Sequence, residues 1–182
     1  CVMVHGHMSR SSGSKTPSLS VFFPALNHSG TIASMVIRAV QTADPLARAT
    51  GLPVHRTDAF RERSVGRMEG LTFEEAARAH PEEYAALLRR DFEHVLSGGE
   101  SYRQLLDRAA RELDAAVERH RGGTLAVFSH TGTICILALH LMGALDAPDL
   151  RPVWLASSNC GISRFELRSD GFLRVSALNH TP

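Results

Sequence analysis

The sequence predicts an α/β fold on a mostly parallel sheet, and three observations carry that expectation. Short, β-branched apolar runs alternate with segments of helical period, the pattern of parallel strands joined by helices. The stretch Thr124–Gly143, TLAVFSHTGTICILALHLMG, reads as strand, tight turn and apolar helix in immediate succession. Two strand-like runs, Gly161–Leu167 and Phe172–Leu178, flank Asp170-Gly171 and read as a hairpin.

At 182 residues the chain is expected to form one domain over residues 1–182, with residues 8–30 its atypical part. Hydrophobic residues make up 43% and charged residues 21%, an ordinary globular balance. The net charge of +1 supplies no basic field, so neither nucleic acid nor a membrane surface is an expected partner. No apolar run is long enough to span a bilayer, and no signal peptide is visible. Cys1, Cys135 and Cys160 form no CxxC pair, which fits a reducing, cytoplasmic setting. The chain begins at Cys1 rather than Met, so its start is read as trimmed or non-native.

Taken in order, Cys1–Val4 is a short apolar run and reads as a strand, followed by His5-Gly6-His7. Ser9–Ser20 is Ser-rich, contains Gly13 and Pro17 and has no helical period, so it reads as loop or disorder. Thr31–Ala33 is a strand end. Ser34 is the candidate N-cap of a helix to about Thr50, closed by Gly51. Pro53–Thr57 is extended, and Phe60–Gly70 is a charged loop. Thr72 and Glu75 form a capping box for a helix to about Ala79, and Pro81 opens another through Arg90. Ser101 caps a long helix to His120, with Leu105, Leu106, Ala109, Leu113, Ala116 and Val117 at helical spacing. After the strand at Thr124–Phe128, the next helix is expected from about Thr133 to Met142, and Arg151–Ser157 holds a further candidate strand.

One feature resists a simple parallel sheet. If the first strand and the Thr31 strand are parallel neighbours, a crossover must join them, normally a helix. Residues 8–30 are long enough, but their Ser, Pro and Gly content disfavours a helix. Either the crossover is irregular or residues are missing there.

Four residues carry candidate chemistry: His5, Arg38, Glu62 and His130. Each follows a strand or opens an element, on the carboxyl edge where open α/β sheets place ligands. The turn before the last helix is also expected to present free backbone N–H groups to an anion. Two imidazoles, a guanidinium and a carboxylate suit phosphoryl transfer. One His attacks phosphorus, Arg forks onto the equatorial oxygens, the second His adds charge, and the carboxyl group protonates the leaving alcohol. Singly, each has a plainer reading: Arg38 as a solvated helix residue, Glu62 as a surface ion-pair partner, His5 as a chain-end residue and His130 as a turn residue.

The motifs in order resemble the histidine phosphatase superfamily, with its phosphoglycerate-mutase-like fold. SMVIRAVQTA is similar to the family's helix with Arg-Ala and Gln-Thr-Ala, and FRERSVGRMEGLTFEE to its Leu-x-Glu…Gly-x-x-Glu-Gly segment. SGGES and VFSHTG resemble its Gly-Gly-Glu-Ser and its Ser-His-Gly-Gly turn. The resemblance implies a three-layer sandwich around the sheet and a phosphatase acting on small phosphate monoesters. It implies a phosphohistidine on His5, with Glu62 as proton donor and with Arg38, His130, Thr131 and Gly6 around the phosphoryl group. It requires no metal or other cofactor. Its expected partner is a small phosphorylated metabolite, and a homodimer is its open oligomeric alternative. The interval of 68 residues from Glu62 to His130 leaves little room for the insertion that mutases carry, which favours hydrolysis. Leaving-group contacts are expected from loops around residues 8–30 and 80–100.

Departures cluster at the N-terminus. Val4 stands where the family has Arg, which removes a charged hydrogen bond worth roughly 1.5–3 kcal/mol. His7 replaces an acidic or amide residue, Thr131 replaces Gly, and the 33-residue interval from His5 to Arg38 is short for the family. Two further readings follow. One is a phosphate-binding protein of weakened catalysis. The other is a metal-dependent hydrolase using His5 and His7, for which no downstream ligand spacing is visible. A plain structural domain would require the ordered motif matches to be accidental.

Overall fold

The computed structural model describes residues 1–7, 29–145 and 153–181. Residues 8–28 of the atypical segment 8–30 and the first part of the candidate strand Arg151–Ser157 lie outside these residues. The elements run β1 (Val2–His7), β2 (Gly30–Ser34), α1 (Ile37–Thr50), β3 (Val54–Thr57), α2 (Phe73–Ala79), α3 (Pro81–Arg89) and α4 (Tyr102–Arg119). Then come β4 (Thr124–Phe128), α5 (Thr131–Leu141), β5 (Ile162–Arg168) and β6 (Leu173–His180). Single 3-10 turns at Asp58–Phe60 and Gly66–Met68 shape the charged loop after β3.

The strands form one sheet in the order β3-β2-β4-β1-β5-β6. The β2–β3, β2–β4 and β1–β5 pairs are parallel, whereas β1–β4 and β5–β6 are antiparallel. The expected α/β fold with a mostly parallel sheet is therefore present. β4 is central because Leu125–Phe128 are apolar and buried, as a strand covered on both faces requires. On one face α4 and α5 pack: Leu105, Leu106, Ala109, Leu113 and Ala116 meet Val2, Val4, Leu125 and Val127 in the main core. α5 is buried from Thr133 through Leu139, the signature of a helix surrounded by protein. On the other face α1 closes a smaller core of Ala33, Val40, Ala43, Ala126 and Phe128.

Local signals placed most boundaries. The Thr72–Glu75 capping box opens α2, and Ser101 with Gln104 opens α4. Gly51, in the left-handed region at φ 70°, ends α1. Three expectations need correction. The residue preceding α1 is Val36, and Ser34 instead ends β2 with its Oγ accepting the Val36 N–H at 3.3 Å. α5 begins at Thr131, one half-turn earlier than its apolar run. Residues 153–157 form no strand, because Trp154 and Leu155 pack on the main core and the Leu155 N–H donates to Cys135 Sγ at 3.2 Å.

The largest correction concerns β1. It runs antiparallel to β4, with Val2 opposite Val127, Val4 opposite Leu125 and His5 opposite Thr124. Because β4 and β2 are parallel, with Gly30 opposite Leu125, β1 ends at the sheet edge where β2 begins. No crossover is needed between them. A Ser-, Pro- and Gly-containing connection disfavours the crossover helix, and the reversed strand removes the requirement for one.

Candidate active site

Arg38, Glu62 and His130 come together at the carboxyl ends of β2 and β4, on the rim of a cavity of about 690 Å³. Three connections deliver them. Arg38 is the second residue of α1, which follows β2; Glu62 lies between the two 3-10 turns; His130 links β4 to α5.

His130 is buried, and both ring nitrogens have partners. Arg38 Nη2 lies 3.0 Å from Nδ1, and Ser34 Oγ lies 3.1 Å from Nε2. A guanidinium only donates, so Nδ1 accepts from Arg38. The neutral ring then carries its proton on Nε2 and donates it to the fully buried Ser34 hydroxyl. Burial pushes the His130 pKa below its ordinary value, the Arg38 charge lowers it further, and Glu62 opposes them. Arg38 is exposed to the cavity and makes no ion pair among the described residues.

Glu62 caps α5. Its Oε2 accepts the Gly132 N–H at 2.8 Å, and its Oε1 accepts the Thr133 and Arg63 N–H groups at 3.1 and 3.0 Å. His130 provides no side-chain cap, so a carboxylate from a distant loop satisfies the helix's first donors. The fit is close at position 132: a Cβ there would sit 2.6 Å from Glu62 Oε1, so the carboxylate would have to shift. This corrects the expectation of free amides at the turn, since those of Gly132 and Thr133 are taken by Glu62. Thr131, the first residue of α5, is exposed and lines the cavity.

His5 and Gly6 do not join this group. His5 pairs with Thr124, the first residue of β4, whereas His130 lies beyond Phe128, its last residue. Four strand residues at about 3.3 Å each put the end of β4 ~13 Å from the level of His5, and His130 lies beyond that end. Cys1 and Met3 line the cavity in their place. Val4 is in the main core, 3% exposed, rather than beside an anion site. The reason is the reversal of β1, which carries the His5-Gly6-His7 run to the opposite sheet edge. Among the described residues, no three His, Cys, Asp or Glu side chains converge as metal ligands. The cavity's remaining wall comes from α1 and from Ser157–Arg164, including Leu46, Ile162 and Arg164, and not from residues 80–100.

The sequence marks Ser34 only as a helix cap and Thr133 only as a helix start, although both serve the site. Thr133 Oγ1 donates to the Arg61 carbonyl at 2.9 Å and so ties the Glu62 loop to α5. A hydroxyl in a helix's first turn is the local signal that would have marked Thr133, whereas a strand-end serine carries none.

The model of the histidine phosphatase superfamily (branch 1) matches residues 19–181. β1 and His5 precede that match. The bifunctional protein Rv2228c of Mycobacterium tuberculosis is 35% identical over 150 residues, which cover 82% of this chain and 40% of that protein. A metal-independent phosphoserine phosphatase of Arabidopsis thaliana is 34% identical over 116 residues, 62% of this chain and 48% of that one. The chain thus spans less than half the length of these curated relatives. Among solved structures, mycobacterial glucosyl-3-phosphoglycerate phosphatase in complex with inorganic phosphate aligns with a TM-score of 0.63 and 25% identity, covering 84% of this chain and 77% of that one. YhfR of Bacillus stearothermophilus shares the fold at a TM-score of 0.71 and 20% identity, over 84% and 74% of the two chains. With the matched model spanning β2 to β6 and every element that builds the Arg38–Glu62–His130 cluster, the chain belongs to the histidine phosphatase superfamily, branch 1.

Proposed function

We propose that this chain binds the phosphoryl group of small phosphate monoesters in the Arg38–His130 pocket and hydrolyses them slowly. The observation that carries the reading is the Arg38–His130 contact at 3.0 Å on an open cavity. Among the described residues Arg38 makes no ion pair with a carboxylate, so its fork is available to phosphate oxygens, which would replace Nδ1 as its acceptor. Once that acceptor role is released, Nδ1 takes up a proton, and the imidazolium and guanidinium together face the equatorial oxygens. Water then attacks phosphorus, the P–O bond to the leaving group breaks, the His130 Nδ1 proton passes to the leaving oxygen to give the alcohol, and the proton lost by the attacking water replaces it.

A phosphohistidine on His5 is not part of this reading, because β1 ends at the other sheet edge. His130 is the one imidazole lining the pocket among the described residues, and this reading uses it to hold the phosphoryl group rather than to carry it, so slow turnover is expected. Hydrolysis is favoured over mutase transfer because a mutase needs a phosphorylated residue to pass the group on. The substrate's second part faces apolar groups of α1 and β5 together with Arg164.

Calorimetry with inorganic phosphate, alongside hydrolysis of an aryl phosphate, tests this. One phosphate per chain should bind. Arg38→Ala should weaken binding roughly 10- to 100-fold, the loss expected for a charged hydrogen bond. Hydrolysis should fall in His130→Ala and stay unchanged in His5→Ala. A large rate loss in His5→Ala, with an N–P signal in the ³¹P spectrum of the wild type, would overturn the proposal.

A further inference from the structure

We propose that Arg108, locked to Glu100, is a positioning residue that fixes where the Glu62 carboxylate sits in the pocket. Arg108 lies on α4, outside the cavity, and its side chain is only 17% exposed. Its guanidinium grips the loop on both sides of Glu62. Nη1 donates to the Ala59 carbonyl at 2.7 Å, and Nη2 lies 3.0 and 3.2 Å from the Arg61 and Glu62 carbonyls. Nε and Nη2 also form a two-point pair with Glu100 Oε1 and Oε2, both at 2.9 Å. Glu100 returns to the same loop: its Oε2 accepts the Ser64 N–H at 3.2 Å, and its own N–H donates to the Ser64 carbonyl at 3.0 Å.

The backbone from Ala59 to Ser64 is therefore held on α4 from one side, while Thr133 Oγ1 holds the Arg61 carbonyl from α5. Glu62 is left one geometry, in which both carboxylate oxygens meet the start of α5. Burial alone would raise the Glu100 carboxyl, but the hydrogen bonds from Arg108 and Ser64 outweigh it and keep it below the usual carboxylate range. The pair thus stays charged, and a planar fork is needed because three carbonyls and a carboxylate must be met in fixed directions. Lysine has the charge without the fork.

The inference rests on the phosphate reading only in that Glu62 belongs to the same pocket, and its test does not need turnover. Amide hydrogen exchange of Gly132 and Thr133, followed by NMR, reports the Glu62 contacts directly. Glu62→Gln and Arg108→Met should each raise exchange at these two amides about tenfold or more. The double variant should add nothing beyond the larger single effect, because Arg108 acts through Glu62. Arg108→Lys should recover little of the protection. Exchange at Val127 in β4 should stay at its wild-type rate, which separates positioning from general loosening. Wild-type protection of Gly132 and Thr133 in Arg108→Met, or additive effects in the double variant, would overturn the assignment. Loss of phosphate binding in the wild type would instead remove the phosphate reading and leave this result standing.

Discussion

At the scale of single residues, His130 holds its site through two opposed demands. It is buried and faces a cation, so the folded chain prefers it neutral. In the unfolded chain the same imidazole titrates near its ordinary value of about 6.5. Between the lowered folded pKa and that value the unfolded state binds more protons, so stability rises with pH through this window. As pH falls below about 6.5 the fold loses stability, until the folded pKa is passed and the penalty is complete. His130→Gln removes this contribution and leaves the other histidines in place. Urea midpoints from pH 7.5 down to pH 5 should therefore decline less steeply in the variant than in the wild type. Parallel curves would mean that His130 is not held neutral. Arg38, Glu62 and His130 were legible in the sequence because each sits in its own ordered motif. Ser34 and Arg108 were not, since a strand-end serine and one arginine among several on an amphipathic helix carry no distinguishing pattern.

At the scale of elements, the α5 N-terminus sets two effects of opposite sign against each other at Gly132. A glycine inside a helix costs about 1 kcal/mol relative to alanine, so propensity alone expects Gly132→Ala to stabilise the protein. The added Cβ, however, would lie 2.6 Å from Glu62 Oε1, a carboxylate held by three backbone donors and unable to step aside cheaply. The clash wins: Gly132→Ala should lower stability by about 1–3 kcal/mol, the usual cost of overpacking. In a Glu62→Ala background the same change should become neutral or favourable. Thermal denaturation of the four proteins decides it, and a stabilising Gly132→Ala in the native background would contradict the Glu62 cap. Boundaries set by local chemistry, such as the Thr72 and Ser101 capping boxes, could be read in advance because their donors and acceptors lie within four residues. The Glu62 cap could not, because its partners are 70 residues apart. Likewise, Trp154 and Leu155 are equally at home in a strand or folded onto a core, and only the surroundings choose between them.

At the scale of the whole molecule, the direction of β1 decides which residues share the pocket. A period-two apolar pattern reads the same in either direction, so Val2 and Val4 face the main core whichever way the strand runs. Sheet membership was therefore legible and polarity was not. In the observed antiparallel register His5 is the Cα partner of Thr124, a pairing with Cα atoms about 4.5–5.5 Å apart. That separation lies within the range a disulfide can span, whereas Phe128 stands ~13 Å further along β4. In a chain with Cys1, Cys135 and Cys160 replaced by serine or alanine, His5→Cys with Thr124→Cys should cross-link on mild oxidation. His5→Cys with Phe128→Cys should keep two free thiols. The reverse outcome would turn β1 around, bring His5 to the level of His130 and restore a second imidazole beside Arg38. It would also turn the proposed slow phosphate site into one with a nucleophile. A cross-link between residues 5 and 124 fixes the reversed strand and leaves Arg38 and His130 as the phosphate-facing pair, with Ser34 behind the imidazole and Glu62 set by the α4 clamp.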